Sequence, residues 1–211
     1  MSEENLQETS TEMPSSHKPA AGVRFLRQWG LLIAVVGTIL ALDQTAKNLV
    51  ITRLALGQSW EPIPQIGDFI RITRSYNTGA AFGMLPQASN VFLMLAIITI
   101  TIFIATYRKL SPRAWLTRLG FGLIIGGAFS NNAIDRIRLG HVVDYVHVQL
   151  TPTLSNISNF ADHAIALGAI FLLLDQWLVD RQEKQLHGIR VKEMAGGDVG
   201  QPAVDIWTVG P

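Results

Sequence analysis

The chain has 211 residues, of which 48% are apolar and only 16% charged, and its net charge is +1. That charged fraction lies well below the ~25% usual for soluble domains, and the near-neutral balance argues against nucleic acid as the main partner. The chain has no cysteine, which excludes a disulfide framework, a cysteine nucleophile and a thiolate-held metal.

Residues 1–22 are rich in Ser, Glu and Pro and show no apolar period, so they read as a disordered tail. The first apolar run, 30–50, is longer than the ~7–15 residues of a signal-peptide core. It also carries Asp43 and Lys47, and so reads as a retained helix. Further apolar runs at 91–107, 116–132 and 161–179 bring the expected membrane spans to four; these three are short against the ~20 residues a bilayer requires and are expected to extend at their ends. Residues 186–211 contain Gly196-Gly197 and Gln201-Pro202 and read as a second disordered tail.

Lys and Arg set the orientation. Lys18, Arg24 and Arg27 precede the first run; Arg108, Lys109, Arg113 and Arg118 join the second to the third; Arg181, Lys184, Arg190 and Lys192 follow the fourth. These segments hold 11 of the 17 basic residues, and basic loops stay cytoplasmic. Both termini are therefore expected inside, and segments 51–90 and 133–160 outside. The outer segments carry strand-like patterns at 63–75 and 142–150, rich in β-branched and aromatic residues. The expected fold is an all-α membrane protein of four helices with a small outer sheet at the bilayer surface.

Several polar groups interrupt this apolar chain. Asp43 and Lys47, four residues apart, share one helix face. They form either an interfacial anchor or the polar wall of a site, because charge inside a membrane is expensive and must face a partner. Asn77-Thr78-Gly79-Ala80-Ala81-Phe82-Gly83 is a small-residue loop, either a plain turn or a place where a ligand comes close to backbone. Gly122-x-x-x-Gly126 suits close helix packing. Asn131, Asn132, Asp135 and Arg136 close the third run; Asp135 and Arg136 form a surface pair or brace a site. Asp144 lies among valines in Val142-Val143-Asp144-Tyr145. Asp162, in Asn159-Phe160-Ala161-Asp162, opens the fourth helix and serves either as a cap or as the partner of Asp144 in a proton-sharing pair. His141, His147 and His163 raise the question of a metal, but no helical His-Glu-x-x-His spacing is present and no metal ligand is assigned.

In order and spacing these motifs resemble the lipoprotein signal peptidase family, signal peptidase II. The resemblance runs from about residue 25 to 182 through Asp43-x-x-x-Lys47, Asn77-x-Gly79-Ala80-Ala81-Phe82-Gly83, Asn132-x-x-Asp135-Arg136-x-x-x-Gly140-x-Val142-Val143-Asp144-Tyr145 and Asn159-x-Ala161-Asp162. It implies a four-helix membrane domain over 23–185 with an outer β-cradle, catalytic aspartates at Asp144 and Asp162, and supporting residues at Asp43, Lys47, Asn77, Gly79, Asn132, Asp135, Arg136, Asn159 and Ala161. The implied activity is aspartyl endopeptidase cleavage of the signal peptide from bacterial prolipoproteins bearing a diacylglyceryl-modified cysteine, at the outer face of the cytoplasmic membrane and without a cofactor. Two departures stand out. The family usually has Gly before the asparagine of the third motif, whereas here Asn131 precedes Asn132 and Gly126-Gly127-Ala128 is displaced by one residue, so both asparagines are candidates. Tyr145 stands where Phe is common. A proton- or lipid-coupled transporter is the alternative, with Asp43, Lys47, Asp135, Asp144 and Asp162 as a relay; the absence of any internal repeat weighs against it.

Overall fold

The structure, a computed structural model, describes residues 21–78, 88–111, 113–151 and 153–194. Helix α1, Ala21–Arg53, is 33 residues of mostly Leu, Ile, Val and Ala without a proline. At the usual rise it is about 50 Å long, well over the ~30 Å of a hydrocarbon core. Its last carbonyls need partners from outside the helix. Arg74 supplies them, donating Nη1 to Ile51 O at 3.0 Å and to Leu54 O at 2.8 Å, and so fastens the sheet to the end of α1.

Helix α2 spans Ala88–Tyr107 and α3 spans Trp115–Ala128. Without a break, α3 passes into a π-helical segment, Phe129–Asp135, and then into the short helix α4, Arg136–Leu139. Gly140, at φ 77°, ends α4 in the left-handed region, where a glycine carries no steric penalty. The chain then enters the sheet. Helix α5, Phe160–Met194, closes the fold with 35 residues.

Glycines on α3 let two neighbours approach at once. A Cβ at Gly122 would lie 2.9 Å from Val35 and one at Gly126 3.0 Å from Ile39, both on α1. On the side facing α5, Gly120 and Gly168 abut each other's carbonyls, and a Cβ at Gly127 would lie 2.4 Å from Ala161 O. The buried core follows these contacts, with Leu32, Tyr107, Phe121 and Ile125 in one cluster and Ile39, Leu123 and Ala164 in another. Large apolar side chains such as Leu42, Leu49, Ile97, Ile102, Ile170 and Leu173 face outward, which suits a lipid environment and not water.

Strands β1 (Ser59–Trp60), β2 (Ile70–Asn77), β3 (Val142–Gln149) and β4 (Ser155–Ser158) form one antiparallel sheet in the order β1-β2-β3-β4. The register of β2 on β3 shifts between Ile72 and Ser75. Ser75 thereby pairs with Asp144, and Asn77 with Val142.

The structure adjusts three expectations. Two stretches, Gln28–Arg53 and Phe160–Val191, are by themselves long and apolar enough to cross a bilayer; the apolar stretch of α2, Leu93–Tyr107, is shorter, and α3 has 14 residues before the π turn. The expected strand over 63–75 begins only at Ile70, because Pro64–Ile66 forms a 3-10 turn and proline has no N–H to give a ladder. The tail expected from 186 is helical through Met194. The tail expected over 1–22 lies outside the described residues up to position 20.

Candidate active site

Asp144 sits on β3 and is 3% exposed. Asn77 Nδ2, at the end of the neighbouring strand, donates to its Oδ2 at 3.0 Å, and Asn159 Nδ2 donates to its Oδ1 at 2.7 Å. Burial pushes its carboxyl up to about 6; the Asn77 amide opposes this, the negative charge of Asp162 adds to it, and the Asn159 amide and Lys47 oppose it. The physical cause is desolvation of the charged form.

Asp162 lies in the first turn of α5. Since the helix begins at Phe160, the cap residue is Asn159 and Asp162 occupies the third helical position. The two bond reciprocally: Asp162 N–H donates to Asn159 Oδ1 at 2.9 Å, and Asn159 N–H donates to Asp162 Oδ2 at 3.2 Å. This is a capping box built from Asn and Asp. It leaves Asp162 Oδ1 for Asn131 Nδ2, at 2.8 Å. The backbone donor fixes which end of the Asn159 amide is oxygen, so its NH2 must face Asp144. One fully buried asparagine thus spans the two carboxylates.

Beneath the pair lies a dry ionic wall. Lys47, 2% exposed, directs Nζ at Asp43 Oδ2 (2.6 Å), Asp135 Oδ2 (2.7 Å) and Asn131 Oδ1 (2.6 Å). These three acceptors use all three ammonium protons. Asp43 also accepts Ser130 Oγ–H at 2.6 Å and the Ala161 N–H at 3.0 Å. The second of these contacts puts a carboxylate against the amino end of α5, where the helix dipole favours it. Asp135 accepts Gln44 Nε2 at 2.7 Å and the Val143 N–H at 3.2 Å, which fixes β3 one residue before Asp144. An interfacial anchor would keep a charged head in water, and neither Asp43 nor Lys47 does.

Asn131, and not Asn132, faces the carboxylates. Asn132 Nδ2 turns back to Ala128 O at 3.0 Å, and its Oδ1 accepts Arg136 Nε at 3.1 Å. The π segment accounts for this. The Arg136 N–H donates to Asn131 O, five residues back, so the turn holds one residue more than an α turn. The extra residue rotates Asn132 out of the site, while Asp135 and Arg136 keep their places. Arg136 remains close enough for the charges of Asp144, Asp135 and Asp162 to act on it. Gly79 lies outside the described residues. Ser130 and Gln44 were not singled out in sequence, and only their positions next to motif residues hinted at them; Tyr145 was noted only as a departure from Phe, and its hydroxyl accepts the Phe160 N–H at 3.3 Å.

The three histidines have separate surroundings. His147 Nδ1 meets Thr73 and Arg71, His163 Nδ1 donates to Asn159 O at 2.7 Å, and His141 packs on the Tyr76 ring. Among the described residues no three His, Asp or Glu side chains are grouped to hold a metal ion. What the arrangement offers is two buried carboxyl groups in different environments, linked by an amide and backed by a lysine. That is the equipment for taking a proton from water and giving one to a carbonyl.

The chain matches the family model described as Signal peptidase (SPase) II over residues 35–178. It is 38% identical over 155 residues to a lipoprotein signal peptidase of Desulfitobacterium hafniense, covering 74% of this chain and 98% of that one. With the lipoprotein signal peptidase of Moorella thermoacetica it shares 39% identity over 142 residues, 67% of this chain and 88% of that one. A solved structure described as a bacterial membrane enzyme, 28% identical, superposes with a TM-score of 0.64 over 74% of this chain and 92% of its own. These relatives are peptidases, and four of the acidic residues of a transport relay converge on one cluster; the transporter reading falls.

Proposed function

The chain belongs to the signal peptidase II family, and from that premise we propose that it is an aspartyl endopeptidase that removes the signal peptide from bacterial prolipoproteins. Asp144 and Asp162 are its catalytic pair. The observation that carries the reading is the Asn159 bridge between them.

In the resting pair Asp162 is the carboxylate and Asp144 the acid. A water held between them loses a proton to Asp162 as its oxygen attacks the scissile carbonyl carbon, while Asp144 gives its proton to the carbonyl oxygen. The tetrahedral intermediate collapses as Asp162 passes its proton to the leaving nitrogen and Asp144 recovers one from the hydroxyl. The proton belongs to the pair as a whole. Asn77, Asn159 and Asn131 hold the carboxyl groups in orientation. The ionic wall of Asp43, Lys47 and Asp135 fixes the elements on which they stand, and Arg136, Ala161 and the Gly79 loop complete the supporting set.

The substrate carries a diacylglyceryl-modified cysteine, whose acyl chains stay in the bilayer while the peptide reaches the pair. The catalytic domain spans 23–185. Helices α1, α2, the α3–π–α4 rod and α5 each cross the inner membrane. Both termini are cytoplasmic, and the sheet and the aspartates are on the outer face. What supports this orientation is the segregation of Lys and Arg described above.

The decisive experiment is incubation of the purified protein with a lipid-modified prolipoprotein, read by the mass of the product. Loss of the signal peptide is expected from the wild type; a substrate mass that never changes refutes the reading. Orientation is read separately with single cysteines at Gln58 and Ser111 in this cysteine-free chain. An impermeant thiol reagent added to intact cells should label the first only.

A further inference from the structure

On the far side of the ionic wall from the catalytic pair, a cavity of about 490 Å³ opens between α1 and α4. Lys47 and Asp135 form part of its lining, and Thr45, Asn48 and Arg138 stand around it together with the apolar Ile51 and Leu139. The lining groups divide sharply by what they have left to give. Lys47 has no proton to spare, and both Asp135 oxygens are taken by Lys47, Gln44 and Val143. The Arg138 guanidinium makes no hydrogen bond or ion pair among the described residues, and the Thr45 hydroxyl and the Asn48 amide are similarly uncommitted. A guanidinium fork, an amide and a hydroxyl around one space, with the carboxylates already neutralised, call for an anion rich in acceptor oxygens. The lining charge agrees: Lys47 and Arg138 stand against Asp135, the one carboxylate of the lining among the described residues.

We propose that this cavity binds the phosphate of an anionic phospholipid. The lipid source is favoured because the apolar Ile51 and Leu139 line the cavity beside Arg138, and Leu139 and its chain neighbour Ile137 are exposed. They offer a path for acyl chains below a headgroup held at Arg138, as basic side chains at a helix end do. The proposal rests on the reading of α1 as a membrane-spanning helix. The diacylglyceryl group of the substrate carries no phosphate, so this lipid is a different molecule from the substrate and occupies a place of its own behind the site wall.

The test is native mass spectrometry of the full chain in detergent, with phosphatidylglycerol, phosphatidylcholine or inorganic phosphate added. Phosphatidylglycerol is expected to be retained about tenfold better than phosphatidylcholine, whose phosphate is already compensated by its own choline cation, as one charge-assisted contact is worth. Arg138→Gln should abolish that preference. The side chain is exposed and unbonded, so the variant should fold, and its melting temperature checks this. Arg53→Gln, which removes another exposed outer cation away from the cavity, should leave the preference intact. Equal retention of both lipids, an unchanged preference in Arg138→Gln, or the same loss in Arg53→Gln would each overturn the site. Displacement of the lipid by inorganic phosphate would overturn the lipid assignment. Cleavage is measured apart: lipid preference without any proteolysis would break the peptidase reading and leave this site standing.

Discussion

Two ends of the same helical bundle each bury a polar cluster, and they are built on different plans. At the end that carries the sheet, outer in the proposed orientation, Asp43, Lys47, Asp135, Asn131, Asn159, Asp144 and Asp162 bond mainly side chain to side chain. At the inner end Arg118 stacks 4.7 Å over the Tyr107 ring and donates to Gln28 O, while Gln28 Nε2 donates to Tyr107 O at 3.0 Å. Thr117 Oγ1 bonds Asp175 alongside. The inner cluster mostly satisfies backbone carbonyls, Tyr107 O at the end of α2 and Gln28 O within α1, and an end carbonyl must find a partner in any chain. The outer cluster satisfies carboxylates that no backbone requirement put there. A buried charge retained at that cost points to chemistry; a buried cation that ties one helix to the backbone of another points to architecture.

The largest expected effect tests that contrast directly. Asp144→Asn and Asp162→Asn keep shape and polarity but cannot accept the proton, so each should lower cleavage by about 10³-fold or more, with folding intact. The double variant should be little worse than either single one, since groups acting as a unit are not additive. Near-normal turnover by either variant would remove that residue from the catalytic pair.

Lys47→Leu is expected to act on stability first. It strands Asp43 and Asp135 without their cation, and breaking a buried ionic set costs about 3–5 kcal/mol. Thermal melting in detergent should show a large drop, with turnover falling in the protein that remains folded. An unchanged melt would mean that the wall is dispensable.

The pH profile sharpens the outer site further. In the proposed mechanism Asp144 must hold its proton to act as acid, and burial pushes its carboxyl up to about 6. Cleavage should therefore fall as pH rises through that value. Asn77 donates to the ionised form, so Asn77→Ala should move this limb to higher pH. The folded state holds a proton here that the unfolded chain releases nearer the usual carboxylate range, so this group's stabilising contribution is present at low pH and is lost as pH rises through about 6. A limb that stays put in Asn77→Ala would separate it from Asp144.

The smallest effect belongs to the inner end. Gln28→Leu removes the donor that stops α2 and should cost about 1 kcal/mol, the worth of one partly buried hydrogen bond. Turnover per folded molecule should not change. A selective loss of activity would join the two ends functionally and dissolve the distinction between them.

Much of this was legible from residue type and order. Asp43, Lys47, Asn77, Asp135, Asn159 and Ala161 lie where the motif order suggested, around Asp144 and Asp162, because charges in an apolar chain have few places to go. Strand β4 was not legible: Ser-Asn-Ile-Ser has neither alternation nor β-branched enrichment, and it is a strand because β3 pairs with it. The helical extension to Met194 was hidden too, since Gln, Glu, Lys and Arg sustain a helix through propensity without leaving an apolar period. The choice between Asn131 and Asn132 depended on a hydrogen-bond pattern that no spacing rule encodes.

That π turn works as an expansion joint. A residue added to an ordinary α-helix rotates everything beyond it by about 100°, which here would swing Asp135 away from Lys47 and carry β3, with Asp144, out of register. By widening a single turn instead, the rod takes in the extra length locally and passes none of it on. The reverse operation should be equally silent: a chain with Asn132 excised is expected to close the turn to α geometry and keep its cleavage rate, whereas excising Ile125, about two turns earlier in the same rod, should abolish it. Tolerance to a change of length is thus confined to a few residues beside Asp144 and Asp162.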